Sequence, residues 1–122
     1  MTPIEHRQRL VQRISEILAA HADDGVRIGD LSRLAGISER TLRNAFHQVH
    51  GISPKQFELR ERLHRARRAL CAPAPTTTVT TVAIDCGFFE LGRFSAAYRR
   101  AFGESPSTTM KLHAVREASA AS

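Results

Sequence analysis

A chain of 122 residues with 42% hydrophobic and 25% charged residues has the length and composition of one modest globular domain. No apolar run approaches the roughly 18 residues of a membrane span, and the polar start "MTPIEHRQR" has no signal-peptide core behind it. Two cysteines, Cys71 and Cys86, form neither a disulfide framework nor a CxxC pair, so the expected setting is the cytoplasm and no membrane.

The formal net charge of +6 is unevenly placed: residues 1–39 sum to −1, residues 40–100 to +7 and residues 101–122 to zero. Most of the cations are Arg, the side chain suited to bidentate phosphate and guanine contacts, and a basic field of this kind suits a polyanion.

Helical periodicity dominates and no strand alternation is visible, so the expected class is all-α. The first helix is expected from about Glu5 to His21, with Leu10, Val11, Ile14, Ile17 and Leu18 as its apolar stripe and "HADDG" as its stop. A short helix follows at about Asp30–Ala35, carrying Leu31 and Leu34. Gly36 turns the chain, and Ser38 caps a helix over about Glu39–His50, with Leu42, Ala45, Phe46 and Val49 inward. After Gly51, Ser53 as N-cap and Pro54 at the first helical position start a long helix to about Leu70. Its stripe is Leu59, Leu63, Ala66 and Leu70, and Arg60, Arg62, Arg65, Arg67 and Arg68 cover the rest. Pro73 and Pro75 in "CAPAPTTT" break helix and mark a linker. Thr78 caps a short helix to about Cys86, Gly87 turns the chain, and a helix runs from about Leu91 to Phe102. The Ala/Ser-rich segment after Lys111 is expected to fray.

An internal repeat organises these elements. Leu31, Ala35, Gly36 and Ile37 recur as Val82, Cys86, Gly87 and Phe88 at an offset of 51. Leu42, Phe46, Gly51 and Ser53-Pro54 recur as Phe94, Tyr98, Gly103 and Ser105-Pro106 at an offset of 52, so one residue is inserted in the second turn. Each copy has the pattern of a helix-turn-helix, a short helix and a Gly turn that leave the second helix protruding.

Such a helix enters the major groove with its N-terminal half toward the bases. With Leu42 inward, Arg40, Arg43 and Asn44 occupy the outer face of the first copy. Arg pairs with guanine N7/O6 and Asn with adenine N6/N7. The equivalents in the second copy, Gly92, Ser95 and Ala96, are nearly bare of base-reading groups. Leu91 and Arg93 stand beside them, and Arg99 and Arg100 follow where phosphate contact is the natural role. The first copy is therefore expected to specify sequence, and the second mainly to grip the backbone and to read through shape or small van der Waals contacts.

"DLSRLAGISERTLRNAFHQVHGISPKQF", "RLHRARRAL" and "VAIDCGFFELGRFSAAYRRAFGESP" resemble the DNA-binding domain of the AraC/XylS family of bacterial transcription regulators, over about residues 6–111. The resemblance implies seven helices in two helix-turn-helix subdomains joined by a long linking helix, binding asymmetric double-stranded DNA as one polypeptide. It places the recognition helices in successive major-groove segments about one helical turn (~34 Å) apart. The division it suggests is residues 1–52, a linking helix over 53–71, residues 72–111, and a tail free of order over 112–122. Contacts are expected from Arg40, Arg43 and Asn44 to bases, from Leu91, Gly92, Arg93, Ser95 and Ala96 on the second recognition helix, and from Thr41, Arg99 and Arg100 to phosphates. Thr109 stands where the first half has Phe57, so the family's usual aromatic after the final Ser-Pro is missing. Members usually carry an effector-binding or dimerisation domain, and RNA polymerase is a further partner of an activator.

No cofactor, metal or catalytic set is expected. His47 and His50 lack the further ligands of a zinc site, and Cys86 equates to the small Ala35. Two rival readings follow from the same residues. One is a protein-interaction module that binds RNA polymerase or another regulator, for which the bare second helix speaks. The other is a sequence-blind DNA binder, against which the Arg40, Arg43 and Asn44 face speaks.

Overall fold

Seven helices and no strand make up the described part of the computed structural model, which covers the backbone of residues 2–20 and 27–121 and side chains as far as Val115. They are α1 (Pro3–Ala20), α2 (Ile28–Ala35), α3 (Glu39–His50), α4 (Pro54–Cys71), α5 (Val79–Asp85), α6 (Leu91–Phe102) and α7 (Pro106–Ala121). The expected stop of α1 at "HADDG" lies outside the described residues.

Local chemistry sets most of the helix starts. The Thr2 hydroxyl accepts from the Glu5 N–H and the Glu5 carboxylate from the Thr2 N–H, both at 3.2 Å, with Pro3 at the first helical position. Ser53 and Gln56 exchange the same pair of bonds at the head of α4 (3.1 and 3.0 Å), and the Ser105 hydroxyl accepts from the Thr108 N–H at 3.1 Å at the head of α7. A hydroxyl before proline thus starts α1, α4 and α7 alike, using a position where the missing N–H of proline costs nothing. Ser38 caps α3 and Thr78 caps α5, each accepting from the N–H three residues on.

The chain divides into two compact units, Met1–Glu61 and Arg62–Ser122. In the first, Val11, Ile14 and Leu18 of α1 pack with Leu31, Leu42, Ala45, Phe46 and Phe57. In the second, Leu63, Ala66 and Leu70 of α4 pack with Val82, Ala83, Cys86, Phe94 and Tyr98. A fully buried Leu or Phe is worth about 1.5–3 kcal/mol and a cap about 1 kcal/mol, so packing holds these helices and the caps fix where they begin.

The two cores superpose in sequence further than the helix-turn-helix alone. Val11, Ile14 and Leu18 recur as Leu63, Ala66 and Leu70, again 52 positions on. The repeat is therefore a whole unit, a supporting helix followed by the helix-turn-helix and the opening turn of the next helix. Backbone bonds repeat with it. Ile37 N–H donates to the Ser32 carbonyl at 3.1 Å and Phe88 N–H to the Ala83 carbonyl at 2.8 Å. Leu42 donates to Ser38 and Phe94 to Glu90, both at 3.0 Å.

Three expectations need correction. Leu59 is 41% exposed, because the single stripe read along α4 is really two: Phe57 serves the first core and Leu63 begins the second. Val49, expected inward, is at the surface beside Ile4, Arg7 and Gln8, past the last buried position of α3. The helix of α7 continues to Ala121, beyond the expected fraying point at Lys111; neither Gly nor Pro follows Pro106, and alanine is the strongest helix former.

Candidate nucleic-acid interface

In the first unit the turn between α2 and α3 is made by Gly36, whose φ of +69° lies in the left-handed region that only Gly occupies freely. Leu31 and Leu42 are buried on either side of it, and Ala45 and Phe46 continue the inward face of α3. That phase leaves Arg40, Thr41, Arg43 and Asn44 exposed together over the first turn and a half of the helix. Arg43 reaches the Glu39 carboxylate at 3.5 Å with both side chains about half exposed, a loose pair that a stronger acceptor can replace. The Thr41 hydroxyl lies 2.9 Å from that of Ser38 and belongs to the cap. Asp30 of α2 accepts from Arg33 at 2.6 Å and from the Arg27 N–H at 3.3 Å. The Arg33 bond first, then the Arg27 N–H, holds its carboxyl below the usual carboxylate range.

The second unit builds the same scaffold with other surface groups. Gly87 turns the chain at φ +84°, with the Arg62 guanidinium 3.5 Å from where a Cβ would lie. Phe94 and Tyr98 are buried, while Leu91, Gly92, Arg93 and Ala96 are exposed and Ser95 half-buried. Arg93 is paired with Glu90 at 2.8 Å. Gly92 has an ordinary helical φ and open space where a side chain would stand, so nothing in the fold requires glycine there. Arg99 and Arg100 are exposed in the last turn of α6, where positive charge also complements the helix dipole.

Some residues singled out in the sequence have packing roles. His50 stacks on Phe57 with ring centroids 4.9 Å apart, and its Nε2 lies 3.5 Å from the Ser15 hydroxyl. Arg67 sits over the Phe102 ring, 4.7 Å from its centroid, so the arginines of α4 are not all available to a phosphate. Arg60 and Arg68 are exposed. Cys86 is a buried core residue and Cys71 is half-buried at the end of α4.

Two features escaped the sequence reading. The buried Thr109 accepts a hydrogen bond from the Tyr98 hydroxyl at 2.8 Å, where the first unit has Phe46 edge-on to Phe57 at 5.7 Å. Burial pushes the Tyr98 phenol above its ordinary range, and the Thr109 contact only partly offsets this. The missing aromatic at 109 is thus matched by a hydroxyl at 98: both members of the pair differ between the units. The second feature is Phe89, which is 88% exposed. The shift of offset between Phe88 and the N-cap Glu90 could have located it, since it identifies residue 89 as the inserted one.

A family model described as a helix-turn-helix domain matches residues 31–112. The chain is 38% identical over 105 residues to a XylDLEGF operon transcriptional activator of Pseudomonas putida, covering 85% of this chain and 32% of that protein. It thus spans about a third of the length of that relative. Among solved structures, a probable AraC family transcriptional regulator from Rhodopseudomonas palustris matches with a TM-score of 0.81 at 39% identity, over 86% of this chain and 97% of that one. The DNA-binding domain of AdpA, solved in complex with a target DNA, matches with a TM-score of 0.77 over 87% of this chain and 94% of that one. Its 24% identity makes this a likeness of fold.

Proposed function

The chain belongs to the AraC/XylS family of helix-turn-helix transcription regulators, and from that premise we propose that it binds double-stranded DNA sequence-specifically and activates transcription next to a promoter. The observation that carries the reading is the outer face of α3: Arg40, Arg43 and Asn44 are exposed together on a helix capped by Ser38 and led in by the Gly36 turn. These three side chains supply the donors and acceptors for base edges, each good pair being worth roughly 1–3 kcal/mol of discrimination. Thr41, Arg99 and Arg100 contact phosphates, and α6 lies against the DNA through Leu91, Gly92, Arg93, Ser95 and Ala96. RNA polymerase is the partner through which a bound activator would act. The function is one of binding rather than catalysis, and its place is the cytoplasm.

Selection of bound duplexes from a random pool, followed by titration of selected and random DNA at two salt concentrations, tests the reading. A sequence preference at both salts, with affinity falling as salt rises, is the expected result. Equal affinity for all duplexes would instead favour a sequence-blind binder, and no binding at any salt a protein-interaction module.

A further inference from the structure

We propose that Phe89, together with Leu91, forms an apolar reading element on the second helix-turn-helix that contacts the C5-methyl groups of thymine in the major groove. The inference rests on the DNA-binding reading above and gives the second unit a chemistry of its own.

Ile37 and Ser38 are adjacent in the first unit, and their equivalents Phe88 and Glu90 are separated by one extra residue, Phe89. An apolar residue just before an N-cap ordinarily packs down onto the first turns of its helix. Here Phe88 performs that task, its ring centroid 4.8 Å from that of Phe94. Phe89 is left outside at 88% exposure, the most exposed large apolar side chain among the described residues. A lone exposed apolar residue needs no explanation, but this one has company. Leu91 is 44% exposed two residues on, and Gly92 and Ala96 are exposed one turn apart on the same helix, with the half-buried Ser95 between Leu91 and Ala96.

Position and charge identify the occupant. Phe89 stands at the N-terminal end of α6, the end that a recognition helix presents to base edges. The nearby acidic Glu90 has Arg93 at 2.8 Å, which partly offsets its charge, and Arg99 and Arg100 are exposed further along the same helix. An apolar tip on a helix bearing cations fits the one apolar group displayed by the major groove, the thymine methyl. The polar face of α3 and the apolar tip of α6 would then read different features of one site.

The test uses the purified chain and a duplex it has selected from a random pool, with each thymine replaced in turn by deoxyuridine, which deletes only the methyl group. Fluorescence anisotropy should show one or two positions at which the replacement weakens binding about fourfold, the worth of one buried methyl. Phe89→Ala should abolish the thymine–uracil difference there while leaving discrimination by α3 unchanged, and Phe89→Leu should keep part of it. Helicity and melting of each variant should match the parent, since the side chain is outside the core. The proposal is overturned if no thymine position discriminates, or if discrimination survives Phe89→Ala. It is equally overturned if Phe89→Ala abolishes transcription activation with the thymine–uracil difference intact, because the tip would then be a protein-docking surface. Failure to select any duplex would sink the DNA-binding reading itself, an outcome distinct from selection without methyl discrimination.

Discussion

The Tyr98–Thr109 pair offers the most direct test of how the second unit is held together. Both residues are fully buried and joined by a 2.8 Å hydrogen bond, and the Thr109 hydroxyl lies 3.4 Å from the Ser105 carbonyl. Thr109→Val keeps the shape but strands the Tyr98 hydroxyl in the core, a loss of about 1–3 kcal/mol for an unsatisfied buried donor. Tyr98→Phe removes the donor but leaves Thr109 its bond to Ser105, so the loss is about 0.5–1.5 kcal/mol, that of an ordinary net hydrogen bond. Combining the two removes both polar groups and restores an apolar contact of similar shape. The double variant should therefore lose less than the sum of the singles, with a coupling of about 1–2 kcal/mol. Urea unfolding followed by far-UV circular dichroism measures all four proteins. In the forms that keep it, Tyr98 is the only tyrosine in a chain without tryptophan, so its fluorescence reports the second unit alone. Strictly additive losses would refute the argument, because they would mean that the two hydroxyls do not depend on each other. Burial also raises the phenol pKa, which fixes the sign of a pH effect: stability is whole below the ordinary phenol value near pH 10 and falls as pH rises through the higher folded value.

Arg43→Ala should weaken binding to the selected duplex by roughly tenfold or more and relax one base position, whereas Arg99→Ala should weaken all duplexes alike and reduce the salt slope by about 1; titrations against selected and random DNA distinguish them, and equal loss on both for Arg43→Ala would remove its base-reading role. Ser38→Ala should lower stability by about 1 kcal/mol through loss of the α3 cap, measured by urea unfolding, and should cost specific binding more than non-specific binding because it loosens the turn that carries Arg40 and Thr41. Gly92→Ala should raise stability by about 0.5–1 kcal/mol, since its Cβ meets nothing within 4 Å; thermal melting checks this, and destabilisation would show a packing need for glycine. The lowered pKa of Asp30 gives the opposite pH sign to Tyr98: its contribution is present above the ordinary carboxylate value and is lost as pH falls through the folded value. Acid titration of the α2 amides should show that loss, and Asp30→Asn should remove it.

The fold was readable because its determinants are local and repeated. Gly36 and Gly87, Gly51 and Gly103, and Ser53-Pro54 and Ser105-Pro106 recur at nearly constant offsets, and each is a turn or cap whose chemistry acts within a few residues. What the sequence concealed was tertiary. One apolar stripe along α4 looks continuous on paper, yet Phe57 and Leu63 enter different cores and Leu59 enters neither. The loss of an aromatic at 109 reads as a defect until the hydroxyl of Tyr98 is seen bonded to its replacement. Arg67 resembles the other arginines of its helix until the Phe102 ring is placed beneath it.

The candidate site obeyed a different logic. Exposed residues are not constrained by the core, so the two copies keep Leu42 and Phe94 in one role while Gly92, Ser95 and Ala96 stand where the first has Arg40, Arg43 and Asn44. At the positions that correspond, the second copy lacks the polar side chains that the first presents. The structure shows that correspondence is an incomplete guide, since the most exposed large apolar side chain among the described residues, Phe89, has no counterpart in the first copy at all. Duplication supplies the scaffold, and the surface that departs from it is where a second, chemically different reading function can arise. On the proposed reading, an apolar tip on one unit and a polar face on the other would let a single chain distinguish the two ends of an asymmetric site.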